Sequence, residues 1–276
     1  YYNTTGDRLT AIGAYALQDN TTGTYNTAVG RNALTNNTTA ANNTGVGYGS
    51  LATNTTGGAN TAVGMQSLTT NSTGQDHVAI GVNALQLNTT GSYNTAVGRD
   101  CVEANTTGSY NVGMGYKALA VNTTASSLTG VGAYSLGANT TGASNTAFGS
   151  NSLRSNTTGA SSTAIGVQAL HSATTGDENC AAGVNALYDV TTGDNNIGIG
   201  VGAGRSNSPS GSITTGDNLI CIGNNSHTAS YIKVDWTVTS DERDKTDIQD
   251  ITTGLDFVNQ LKPKSFWFRK ERGSDV

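Results

Sequence analysis

The sequence predicts an all-β fold, a parallel β-solenoid or β-roll of 17-residue coils, followed by a short α+β segment at the C-terminal end. Three observations predict it. A Thr-Thr-Gly-centred motif returns at a fixed 17-residue interval, and a fixed period of this size marks stacked supersecondary units. Certain positions of the period stay apolar, or stay small, in every copy. The composition suits stacking: hydrophobic residues are 35%, charged residues 12%, with 36 glycines and 2 prolines in 276 residues. Low charge separates the chain from disordered sequences, which usually carry high net charge.

The units begin at Asn3, Asn20, Asn37, Asn54, Asn71, Asn88, Asn105, Asn122, Asn139, Asn156, Ala173 and Val190, with the consensus N-T-T-G-x-x-N-T-A-V-G-x-x-A-L-x-x. A longer thirteenth unit is expected from about Ser206 to Asn225. Position 10 is apolar throughout, from Ile12 and Val29 to Phe148, Ile165 and Ile199, and is expected to face a core. Position 15 is Leu in ten of the first eleven units, Val102 being the exception, and forms a second core column. Position 9 is only Ala or Gly and position 14 only Ala, Ser or Cys, so another wall or another chain is expected to approach closely there.

Position 11 is Gly in all twelve units, from Gly13 to Gly200, which calls for a positive φ or for the absence of a Cβ. Position 3 is Thr in all twelve, and its stacked hydroxyls can bond along the column. The Asn columns can form ladders and cap turns. Each coil is thus expected to hold two short strands, roughly N-T-A-V and A-L-x-x-N. Gly, Thr and Asn at this density are poor helix formers. Stacked roughly 4.8 Å apart, twelve coils would make a rod of about 57 Å. So thin a core is marginal alone, and assembly of several chains is expected.

The net charge is −5 and the first 230 residues carry no basic stripe, so nucleic acid is not an expected partner. No apolar run approaches the length of a membrane span, and no cofactor or metal site is expected. The three histidines, His77, His171 and His227, fall at different places in the repeat and read as solvated side chains. Cys101, Cys180 and Cys221 are far apart and odd in number; they read as small apolar filler. The Asn-Thr-Thr sequons read as structural, and the position-6 and position-13 tyrosines as scattered surface residues. The opening Tyr1-Tyr2-Asn3-Thr4-Thr5-Gly6 reads as the middle of a repeat, so the chain is expected to be a piece of a longer one.

The motifs Asn26-Thr27-Ala28-Val29-Gly30 and His77-Val78-Ala79-Ile80-Gly81 resemble the head repeats of trimeric autotransporter adhesins. The resemblance covers roughly residues 3–225. It implies left-handed parallel β-rolls packed as homotrimers.

Composition changes after Ile232. The last 44 residues hold 17 of the 33 charged residues, both tryptophans and Pro263. Thr239-Ser240-Asp241-Glu242-Arg243-Asp244-Lys245 is followed by helically spaced Ile248, Ile251, Leu255, Val258 and Leu261. Pro263 ends that stretch, and Phe266-Trp267-Phe268 reads as a strand. The expected organisation is a repeat solenoid over 1–225, a connector over 226–239, and the start of a third region over 240–276.

The Ser-Asp-x-Arg-x-Lys start and the Leu-x-Pro-x-x-Phe-x-Phe ending resemble the C-terminal intramolecular chaperone of phage endosialidases and many tail fibres. The resemblance implies trimer-assisting folding and single-turnover release by autoproteolysis. It assigns Ser240 as nucleophile and Lys245 as base, with Asp241 and Arg243 supporting. A lysine can act as base where burial or neighbouring cations lower its pKa. On the residues alone, Ser240 also reads as a helix N-cap with Asp241 and Glu242 in the first turn.

The expected role is a structural and host-adhesion component of a trimeric phage tail fibre, on the virion and facing the extracellular medium. Its partners would be itself, other virion proteins and a host-cell receptor, with glycans among the candidates. A bacterial trimeric surface adhesin is the alternative. An ice-binding solenoid is a weaker one, because Thr at positions 2 and 3 is adjacent and cannot present both side chains on one flat face. A glycan-degrading enzyme is least supported, since the coils hold almost no paired carboxylates.

Overall fold

The structure, a computed structural model, describes residues 2–229. These form thirteen three-residue strands: β1 (Thr10–Ile12), β2 (Thr27–Val29), β3 (Thr44–Val46), β4 (Thr61–Val63), β5 (Val78–Ile80), β6 (Thr95–Val97), β7 (Val112–Met114), β8 (Thr129–Val131), β9 (Thr146–Phe148), β10 (Thr163–Ile165), β11 (Cys180–Ala182), β12 (Ile197–Ile199) and β13 (Ile220–Ile222). All are parallel, each paired in sequence order with the next, in one thirteen-stranded sheet. Equivalent repeat positions face one another, as in Thr27↔Thr44 and Val29↔Val46. Among the described residues there is no helix. The described residues therefore form a parallel β-solenoid with one repeat, 17 residues in all but one case, per coil.

Only one strand forms in each coil. The expected second strand, at positions 14 to 17, is a run of turns. Positions 13 and 15 lie in the left-handed region, as in Tyr15 (φ 64) and Leu17 (φ 50), and position 6 joins them, as in Tyr25 (φ 57). Backbone bonding between coils persists through the turns: the Leu34 amide donates to the Ser50 carbonyl at 3.0 Å, and the Asn32 amide to the Ala14 carbonyl at 2.9 Å. A left-handed conformation costs an L-residue about 1–2 kcal/mol. Fully burying a Leu returns about 1.5–3 kcal/mol. Leu at position 15 is buried wherever it occurs, so at that position burial offsets the strain.

The interior holds the small residues of positions 9 and 14, the Leu column and two columns of asparagine. The size limits come from inside the coil. A Cβ on Gly113 (position 9) would lie 2.6 Å from Val102 Cγ2 and 2.7 Å from Cys101 Sγ. Here a larger Cys at position 14 and a β-branched Val at position 15 are matched by a Gly in the next coil. Position 11 needs glycine on both counts. Gly30 has φ 138, and a Cβ there would collide with the Gly47 carbonyl oxygen.

The position-1 asparagines make a continuous side-chain ladder. Asn37 Nδ2 donates to Asn20 Oδ1 at 2.9 Å and to the Ala40 carbonyl at 3.0 Å. The same pattern repeats up to Asn156, which donates to Asn139 Oδ1 at 2.7 Å. It stops there because Ala173 replaces the next Asn, leaving Asn156 Oδ1 without a partner. The hydroxyl ladder lies at position 2 rather than position 3. Thr21 Oγ1 donates to the Thr38 carbonyl at 3.0 Å, whereas the position-3 threonines are exposed. From Asn20 to Asn156 the Asn-Thr-Thr sequon asparagines are these buried ladder residues, so their Nδ2 atoms serve the coil.

The irregular unit begins earlier than expected. Coil 12 carries six extra residues in its turns, so Val190 and Ile213 are equivalent, as the 23-residue step from Asp194 to Asp217 shows. The thirteenth coil then starts at Ile213. Its strand β13 pairs with β12 in normal register.

Candidate functional surface

The position-10 column does not face the core. In each strand the middle residue points inward and its two neighbours point outward, because side chains alternate along a strand. Ala28 is buried between half-exposed Thr27 and Val29. The outward column is apolar from end to end, with Phe148 56%, Ile165 50% and Ile222 56% exposed. The core expectation is corrected here by the one-residue geometry of the strand: position 9 occupies the interior, so position 10 cannot.

Position 8 is mostly Thr, but becomes Cys180, Ile197 and Ile220 in the last three strands. Position 12 carries Val167, Val184 and Val201 in coils 10 to 12, all exposed. The strand face is therefore most apolar in the coils nearest residue 229. Cys101 and Cys221 are buried, as filler should be, but Cys180 is exposed on this face. Contiguous exposed apolar surface on this scale marks an interaction site.

His77 is not solvated. It takes the place of the position-7 Asn and performs both of that residue's tasks. Elsewhere, Asn43 Nδ2 donates to the Gly57 carbonyl at 3.0 Å, and Asn43 Oδ1 accepts from the Asn60 amide at 2.9 Å. In coil 5, His77 Nε2 lies 2.8 Å from the Gly91 carbonyl and Nδ1 accepts from the Asn94 amide at 3.2 Å. These partners assign the proton to Nε2 and keep the ring neutral. Desolvation lowers its pKa to about 4, against smaller raising effects from Gly91, Asn94 and Asp76. His171 stacks on Tyr188 with centroids 4.8 Å apart, so it too is held. The tyrosines are less scattered than expected: Tyr93 and Tyr110 stack at 5.0 Å.

Ser240, Asp241, Arg243 and Lys245 lie outside the described residues, as does the expected helix-and-strand segment. The family model for the chaperone of endosialidase matches residues 240–276. No curated protein matches the chain. The family match falls on the segment whose motifs carry the resemblance, and leaves the coils unassigned.

Proposed function

We propose that the chain is the repetitive portion of a trimeric extracellular fibre of the phage tail-fibre kind, borne on the virion and used in host attachment. One observation carries this reading: among the described residues an exposed apolar strand face runs the length of the solenoid, in the same chain as a chaperone-of-endosialidase segment. The segment supplies the assembly activity and the coils supply the surface that assembles. Three chains bury their position-10 columns against one another, and the turns remain outside, available to a host receptor. The increase in apolar residues toward coil 13 fits assembly that begins in the coils nearest in sequence to the chaperone segment. Ser240 and Lys245 then release that segment once, after the trimer forms, which removes the route back to the unfolded chains.

Sedimentation of full-length protein tests the reading. The wild type should sediment at three times the mass of its own chain, as that mass is read by mass spectrometry on the same sample. Phe148→Asp with Ile165→Asp should dissociate it while leaving the β-rich circular dichroism spectrum in place, since both side chains are outside the coil. A wild-type monomer, or a double variant that still forms the trimer, would refute it.

A further inference from the structure

A cleft of about 310 Å³ crosses coils 6 to 9 on the turn side. The repeat explains it. Position 16 is filled by Gln86, Glu103, Arg154, His171 and Tyr188 in coils 5, 6, 9, 10 and 11, but by Ala120 and Gly137 in coils 7 and 8. Two consecutive small residues leave a gap about 10 Å deep along the stack. Ala120, Val121, Gly137 and Ala138 line it with apolar surface, and Glu103 and Arg154 stand at opposite ends. Lys117 and Tyr134 complete the walls.

The charged groups around this gap are arranged for a ligand. Among the described residues, neither Lys117 nor Arg154 has a carboxylate within ion-pair distance, although Arg8, Arg99 and Arg205 each do. The Arg154 guanidinium is held in place: it lies 4.8 Å over the Tyr134 ring, and its Nη1 donates to Asn151 Oδ1 at 2.9 Å. Tyr134 is in turn braced edge-on by Tyr116 at 5.3 Å. A fixed planar guanidinium without an anionic partner suits a carboxylate, and prior ordering lowers the cost of binding. Glu103 is an acceptor for hydroxyl groups at the other end.

From this arrangement we propose that the cleft binds an acidic sugar residue, its ring against the Ala120–Gly137 floor. The sugar carboxylate meets Arg154, and a ring hydroxyl donates to Glu103, whose charge Lys117 favours from the same end of the cleft. An apolar floor with a few placed polar groups, at the lower end of ligand-site volumes, fits one such ring better than an extended peptide. The proposal deepens the host-attachment reading by naming a receptor chemistry, but binding at the cleft does not depend on the fibre being trimeric.

The test is calorimetric titration of full-length protein with trigalacturonic acid and, in parallel, neutral maltotriose. The acidic trisaccharide should bind saturably and at least tenfold more tightly than the neutral one. Ala120→Gln, which restores a side chain that the column already carries at Gln86, should abolish binding. Arg154→Gln should weaken the acidic ligand at least tenfold. Sedimentation of the same samples should show an unchanged oligomer, which separates loss of the cleft from failure of assembly. Absence of saturable binding, equal affinity for both sugars, or binding that survives Ala120→Gln would each overturn the proposal.

Discussion

Replacing His77 by Asn should remove a pH-dependent weakness from coil 5. The neutral ring gives one hydrogen bond through Nε2 and receives one, from Asn94, through Nδ1. Protonation places a second N–H opposite the Asn94 amide, so the charged ring loses an acceptor it cannot replace. The folded-state pKa is about 4, against 6.5 for the ordinary value. Above pH 6.5 neither the folded nor the unfolded chain holds this proton, and the residue adds no pH dependence. As pH falls from 6.5 toward 4, the unfolded chain takes up the proton and the folded chain does not, so stability declines. At one pKa unit per 1.36 kcal/mol, the limiting loss is roughly 3 kcal/mol. Asn occupies this position in most other coils, so His77→Asn should fold normally at pH 7. Guanidinium unfolding of both proteins at pH 7.5 and 4.5 would measure the difference, and His171 and His227 cancel because both proteins contain them. The wild type should lose more stability than the variant on acidification, and its Asn94 amide should lose exchange protection. Equal losses in the two proteins would refute the described role of His77.

Other perturbations probe the interior and the C-terminal segment. Gly113→Ala should destabilise by about 1–3 kcal/mol through overpacking, and Cys101→Ala with Val102→Leu should recover most of it, because neighbouring sites couple; chemical denaturation of the four proteins gives the coupling energy. Ala96→Leu should lower thermal stability by unfolding the coil itself, as Ala96 is inside it, and a calorimetric scan would read this. Full-length protein should be cut at Ser240, and Ser240→Ala and Lys245→Ala should remain intact by mass spectrometry.

The architecture was legible because repetition exposes it. The invariant Gly column reported its positive φ, and the Leu column reported burial. The direction of the Val/Ile column was not legible. A residue on an exposed sheet face can be as apolar as a core residue, and Phe148 and Leu153 carry no mark that separates them. The second strand was misjudged for a related reason: Leu17 and Leu34 are not left-handed formers, so nothing in their identity announces φ near 50. Only the depth of their burial makes that conformation worthwhile. His77 was obscured by its rarity in a column of asparagines, although its position in that column was the available clue. The candidate cleft was also hidden, since it arises from two missing side chains.

The outward position-10 column is proposed as the surface where chains meet. Short-spacer bismaleimide cross-linking probes that contact, using a Val131→Cys variant in a Cys180→Ser background, with Cys101 and Cys221 buried. A parallel variant places the cysteine at Gln168, on the turns. Covalently linked chains are expected from the position-131 cysteine and little linkage from position 168. Linkage from position 168 alone, or from neither, would contradict it.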